Sequence, residues 1–267
     1  MKSKNLLFLL TATCLFSCQQ QDELNDQSKE TVNIITSIDN ENITDVLTRA
    51  GNSLSLPLKS SFSSGDVISM SINDQDYIPY TLGENSHLWG EFGVNGKETY
   101  YAHYPELSVD MTTTRAGKHF REIEGGKEHL FGTAQAIFGS GNINLKFKRM
   151  TVPVILVDEY GKPYSGKADI KLFLKNKGMQ DLLSGIIKVD ENAESKYINI
   201  KKISDGILTN LIPQLIKSGE VIGTVTEDGK EEPVIADHDI NLEAGQPVMM
   251  RVSGRIGILD DRTPLRY

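Results

Sequence analysis

The chain has 267 residues, with 36 acidic against 28 basic side chains and a formal charge of −8, an acidity that argues against nucleic acid as a partner and against electrostatic attachment to anionic lipid. Its two cysteines, Cys14 and Cys18, both lie near the N-terminus, so the body of the chain is not a disulfide scaffold and must be held by an apolar core. About 250 residues beyond a leader suffice for one large β domain or two of ordinary size.

Lys2 and Lys4 form a positive n-region ahead of the apolar run Leu6 to Leu10, continued by Ala12, Leu15 and Phe16. A span takes roughly 20 apolar residues, so this run is too short and wrongly flanked, and residues 1–17 read as a secretory signal. Leu15-Phe16-Ser17-Cys18 resembles a bacterial lipobox, whose cysteine is acylated and becomes the first mature residue, although Phe16 stands where the pattern has a small side chain. An ordinary signal cut elsewhere is the alternative. Losing Lys2 and Lys4 with the leader takes the charge from −8 to −10. Lipid attachment at Cys18 then ties the chain to the outer membrane, at about 0.8 kcal/mol per buried methylene. Residues 18–30 are polar and read as a tether. Asp22, Glu23 and Asp26 also resemble the surface-export signals of some anaerobic bacteria.

Three period-two runs follow: Val32, Ile34, Thr36 and Ile38; Leu54, Leu56 and Leu58; Ile68, Met70 and Ile72. Apolar residues two apart with polar ones between predict half-buried strands. Pro57, on the outward phase of the second run, favours an edge or a bulge. Asn73-Asp74, Gly83-Glu84-Asn85, Asn95-Gly96 and Gly125-Gly126 mark turns, with Asn95-Gly96 a type I′ hairpin signal between Glu91–Val94 and Thr99–His103. Short strands at intervals of roughly ten residues predict a sandwich or barrel.

Ile143, Leu145 and Phe147 point one way on odd numbers, and Met150, Val152, Val154 and Leu156 continue on even ones. One uninterrupted strand cannot change face, so the slip at Lys148–Arg149 requires a bulge or a crossing between sheets or domains. The domain boundary is placed there. Val154–Val157, the turn Asp158 to Gly161 with Pro163 at its exit, and Ala168–Leu174 look like the opening hairpin of a transthyretin-like sandwich. Ile207, Leu208, Leu211, Ile212, Leu215 and Ile216 fit a helical stripe, but Pro213 would remove a bond in its middle. Periodicity leaves that segment undecided. The tail returns to strands at Val221–Thr226, Asp239–Leu242 and Val248–Val252, with turns at Asp228-Gly229 and Glu243-Ala244-Gly245.

Catalytic and metal signals are sparse. The five histidines, His87, His103, His119, His129 and His238, include no H-x-x-x-H pair, and no retained cysteine joins them. In a strand Asp237 and Asp239 would share one face and His238 the other, so that cluster is not a facial ligand set. No G-x-S-x-G elbow, P-loop or H-E-x-x-H is present. No cofactor, metal or catalytic residue is expected. Tyr77, Tyr80, Trp89, Phe92, Tyr100, Tyr101 and Tyr104 cluster along the chain and serve either core packing or a sugar-stacking platform.

Thr48-Arg49-Ala50 followed by Phe62-Ser63-Ser64-Gly65-Asp66-Val67-Ile68 resembles the start of the fimbrillin-like lipoproteins, subunits of surface fimbriae in anaerobic gut and oral bacteria. Tyr100 to Pro105, His129 to Ala134, Asn144 to Met150, Leu211-Ile212-Pro213-Gln214, Glu227 to Lys230 and Leu242 to Gln246 match later parts of that pattern in the right order. The resemblance implies an all-β chain with two transthyretin-like β-sandwich domains in tandem, residues 31–147 and 148–267, and it turns Leu208–Ile216 into a strand leading to Pro213-Gln214. It further implies cleavage between Arg49 and Ala50 by an arginine-specific protease, release of a strand holding Val32, Ile34 and Ile38, and assembly with other fimbrial subunits by donor-strand exchange. Arg49 as an ordinary loop arginine is the alternative, and Arg115-Ala116 offers the same dipeptide. The tail beyond Val252 is short for a donor segment, which favours a tip, anchor or accessory subunit over a stalk. The expectation is a non-enzymatic, lipid-anchored, surface-exposed fimbrial subunit, with a host or bacterial surface ligand as a further partner. The rival is a monomeric surface glycan-binding lipoprotein; a hydrolase with dispersed carboxylates comes third.

Overall fold

Alternation of buried and exposed side chains dominates from the first strand onward, and every regular element among the described residues is extended. The computed structural model describes residues 31–40, 58–83, 87–88, 96–107, 119–157, 164, 167–200, 202–203, 206–227, 229–236, 238–251 and 258–259. In chain order the first strands are β1 (Thr31–Ile38), β2 (Val67–Ile72), β3 (Ile78–Thr81), β4 (His87–Leu88), β5 (Lys97–Tyr104), β6 (Phe120–Glu124), β7 (Leu130–Ile137) and β8 (Asn142–Arg149). Then come β9 (Val152–Val157), β10 (Asp169–Lys175), β11 (Lys177–Asp181), β12 (Ile187–Val189), β13 (Ser195–Ile200), β14 (Lys202–Ile203) and β15 (Gly206–Leu211). The last are β16 (Gln214–Ile216), β17 (Val221–Glu227), β18 (Lys230–Ile235), β19 (Ile240–Leu242), β20 (Val248–Arg251) and β21 (Ile258–Leu259).

A seven-stranded sheet runs β3-β2-β5-β7-β8-β1-β4. Its core contains Val32, Ile68, Met70, Tyr100, Ala102, Leu130, Ile143, Leu145 and Phe147. The predicted period-two run of β1 holds: Val32 is fully buried and Asn33, Ile35 and Ser37 face out. β2 departs from the half-buried expectation, because Ser69 and Ser71 are as buried as Ile68. Their hydroxyls are satisfied locally, Ser69 Oγ accepting from Leu107 N and Ser71 Oγ donating to Gln75 O, which makes burial of that polar phase tolerable. The turn after β2 places Asn73 and Asp74 at φ of 47° and 64°, a region these two side chains enter more readily than most.

The slip after Lys148 is a change of sheet. β8 ends at Arg149 in the first sheet, and β9 enters a five-stranded sheet ordered β14-β15-β9-β20-β21. Every residue of β9 is buried, so both its edges need ladder partners, and it takes β15 antiparallel and β20 parallel. The predicted hairpin from β9 into β10 is therefore corrected: β10 joins a different, four-stranded sheet ordered β13-β10-β17-β18. One core lies between these two sheets, with Val154, Leu156 and Met250 from one and Ile170, Leu172, Ile222 and Val234 from the other. The helical stripe is resolved as strands β15 and β16, with Pro213 in the step between them.

β6 pairs outside the first sheet. It lies antiparallel to β11, from Lys177↔Glu124 to Asp181↔Phe120, within a three-stranded sheet ordered β12-β11-β6. Residues from either side of Lys148 thus share one hydrogen-bonded ladder.

Candidate functional site

β1 occupies a special place in its sheet. It pairs in parallel with β8 over six positions, from Asn33↔Asn142 to Ile38↔Phe147. On its other edge, β4 pairs only with Thr31 and Val32. Taking β1 away would leave β3-β2-β5-β7-β8 continuous, with β8 presenting an unpaired edge beside Ile143, Leu145 and Phe147. Val32 belongs to the core, Ile34 and Ile38 pack against it, and Ile35 is 48% exposed.

Where β1 ends, a buried arginine gathers the chain. Arg149 is the last residue of β8, in phase with Ile143, Leu145 and Phe147, and its side chain is only 2% exposed. Its Nη1 donates to the Asp39 carbonyl at 2.9 Å and to Asn40 Oδ1 at 2.7 Å, and its Nη2 to the Lys59 carbonyl at 2.5 Å. Nε donates to Glu128 Oε1 at 2.8 Å, while Glu128 Oε2 accepts from Lys59 N at 3.1 Å. Asn40 Nδ2 donates to the Ser60 carbonyl at 2.9 Å. Glu128 supplies the counter-charge that lets a guanidinium stay buried. Two points of chain far apart in sequence, 39–40 and 59–60, are thereby fastened to one spot.

A second buried polar group lies between the first sheet and β11. Arg121 on β6 donates from Nε to Gln180 Oε1 at 2.7 Å and from Nη2 to His129 Nδ1 at 3.2 Å. His103 Nε2 and the Tyr77 hydroxyl both donate to the Leu182 carbonyl, at 2.8 and 2.7 Å. Burial pushes His103 down to about 3, with the Arg121 charge adding to the effect. Burial likewise holds His129 at about 4, reinforced by Arg121 and Lys127. Both imidazoles are neutral, and Arg121 itself is lowered to about 10 by burial.

Of the site residues expected from sequence, Val32, Ile34 and Ile38 lie together on the inward face of β1. Cys18, Arg49 and Ala50 fall outside the described residues, as do the Leu54-Leu56 run, Pro57, Asn95, Trp89 and Phe92. Of the two readings of the aromatic cluster, Tyr77, Tyr80 and Tyr100 follow core packing: they are buried and offer no face to a ligand. An exposed aromatic pair stands elsewhere, Phe173 on β10 against Tyr197 on β13, with centroids 4.8 Å apart. Among the described residues no group of three potential ligands could hold a metal ion. Sequence reasoning missed Arg149 and Arg121. Arg149 stands at the slip in the sequence pattern, yet it continues the inward phase of Ile143, Leu145 and Phe147, and Arg121 shares the phase of Ile123. A charged residue on a buried phase demands a set of acceptors, and that was the available signal.

No family model matches the sequence, and no curated protein matches it. Among solved structures, a candidate cell adhesion protein from Bacteroides thetaiotaomicron is 43% identical with a TM-score of 0.68, covering 88% of this chain and 100% of that one. A candidate cell adhesion protein from Bacteroides ovatus is 15% identical with a TM-score of 0.59, covering 87% and 96%. One from Bacteroides uniformis is 12% identical with a TM-score of 0.53, covering 76% and 93%. The last two share the fold.

Proposed function

The chain belongs to the fimbrillin-like family, and from that premise we propose that it is a structural or adhesive fimbrial subunit that assembles at the cell surface by exchanging a β-strand. The observation that carries this reading is the position of β1: six residues of parallel pairing to β8, and a second neighbour at only Thr31 and Val32. Losing β1 opens a row of backbone donors and acceptors together with an apolar trough, and an extended segment with period-two alternation from another subunit satisfies both at once. Val32 alone accounts for about 1.5–3 kcal/mol of burial that the incoming segment has to match.

The maturation that leads there is acylation at Cys18, retention at the outer membrane through the lipid, and cleavage between Arg49 and Ala50 by an arginine-specific protease. We read the chain as two transthyretin-like sandwiches, residues 31–147 and 148–267, a division supported by one large apolar core on each side of it and bridged by the β6–β11 ladder. Its partners are other subunits, the membrane, and a ligand on a host or bacterial surface.

The test is limited digestion of the mature protein with an arginine-specific protease. The expected result is preferred cleavage at Arg49, a folded remainder, and, once mild denaturant has displaced the cut strand, polymers that grow with concentration, seen by gel filtration and electron microscopy. Monomers alone after that displacement overturn strand exchange. Separately, Cys18→Ala is expected to move the protein from the membrane fraction to the soluble one; an unchanged distribution overturns the lipid anchor.

A further inference from the structure

We propose that Arg149 and Glu128 form a latch that keeps β1 seated after the chain between Asn40 and Leu58 has been cut, so that cleavage alone does not free the strand. The proposal rests on the strand-exchange reading and deepens it, by naming the contact that must open before exchange.

Residues 41–57 include Arg49, and residues flanking that segment, Asp39 and Asn40 on one side and Lys59 on the other, meet at the same buried guanidinium. Arg149 thus binds the chain on both sides of the segment, and Glu128 binds Lys59 N as well. Asn40 and Ser60 are joined directly by a further hydrogen bond. Hydrolysis of a peptide bond within 41–57 consumes one water and creates one carboxylate and one amine, but breaks none of these contacts. The clamp also continues the ladder: Asp39 N donates to the Phe147 carbonyl at 2.9 Å, two residues before Arg149 on β8. An exchanging strand that displaces β1 from its N-terminal end therefore meets its strongest resistance at the last step. Arg149 spends its fork on four acceptors at once, and lysine, with a single ammonium centre, cannot reproduce that spread.

The experiment uses the mature full chain with a site-specific protease sequence inserted between Arg49 and Ala50, so that the nick does not depend on any natural protease. After nicking, retention of the fragment that carries β1 is followed by native gel filtration and mass spectrometry. The nicked parent is expected to keep the fragment, and nicked Arg149→Lys to lose it at least about tenfold faster, since charge-assisted bonds are removed. Lys217→Ala is the control: Lys217 lies outside the clamp, and its loss removes an exposed ion pair with Asp239, so release is expected to stay unchanged. Thermal melting of the uncut chains checks folding. If Arg149→Lys does not fold, Asn40→Ala carries the test, with a smaller but measurable acceleration expected. A parent that sheds the fragment upon nicking, or equal release from the Arg149→Lys and Lys217→Ala variants, overturns the latch. Failure of a natural protease to cut at Arg49 would instead sink the maturation reading and leave this result standing.

Discussion

Lowering the pH should weaken this protein through two histidines. His103 and His129 titrate at about 3 and about 4 in the folded state, both held down first by burial and then by the neighbouring Arg121, whereas an unfolded histidine titrates near 6.5 (roughly). A depressed histidine means that the unfolded chain takes up protons first. Stability from this source is fully present above about pH 6.5 and is lost as the pH falls toward the folded values. Between pH 7.5 and pH 5 each site is expected to cost about 2 kcal/mol, and the pair about 4 kcal/mol, a large share of an ordinary folding free energy of roughly 5–15 kcal/mol. Asp181 faces His103 and opposes the shift, while Lys127 adds to it at His129. The assay is urea unfolding at a series of pH values for the wild type and the His103→Gln, His129→Gln double variant. Glutamine retains a donor toward the Leu182 carbonyl and an acceptor toward Arg121, so the variant should fold and lose most of the slope. Equal slopes in the two proteins between pH 7.5 and pH 5 would refute the reasoning.

Two further outcomes can be measured by chemical denaturation. Val32→Ala, at a fully buried position of β1, should lower stability by about 2 kcal/mol, and should also hasten loss of the nicked fragment. Gly132 lies opposite Phe147 in the β7–β8 ladder, where an added Cβ would sit 2.9 Å from the ring; Gly132→Ala should cost about 1–3 kcal/mol, with part recovered by Phe147→Leu.

How much was legible depended on whether one face or two were buried. β1 could be read from its period of two, because its outward residues Asn33, Ile35 and Ser37 meet solvent. β9 was legible as a strand from Val152, Val154 and Leu156, but its neighbours were not, since every residue from Val152 to Val157 is buried and neither face is marked as outward. The same cause undid the hairpin into β10: a strand covered on both faces takes neighbours that lie far away in sequence. In the segment 207–216 the apolar spacing fitted a helix, and Pro213 together with the motif resemblance argued for strands; the hydrogen bonds of β15 and β16 agree with the latter. The clamp was invisible because its members, Asn40, Lys59, Glu128 and Arg149, are ordinary polar residues until the fold brings them together. The buried pair His103 and His129 has no metal-ligand spacing in the sequence, and its setting depends on β6 pairing with β11 outside the first sheet.

That excursion of β6 has a consequence for anyone who would divide the gene. A product ending at Lys148 would carry Phe120–Glu124 with no ladder beside it, leaving Ile123 uncovered and the Arg121 guanidinium without its amide acceptor. The complementary product would own Gln180 with nothing to receive. Neither piece is a finished article, and co-expression of the two should rescue the solubility that each lacks alone.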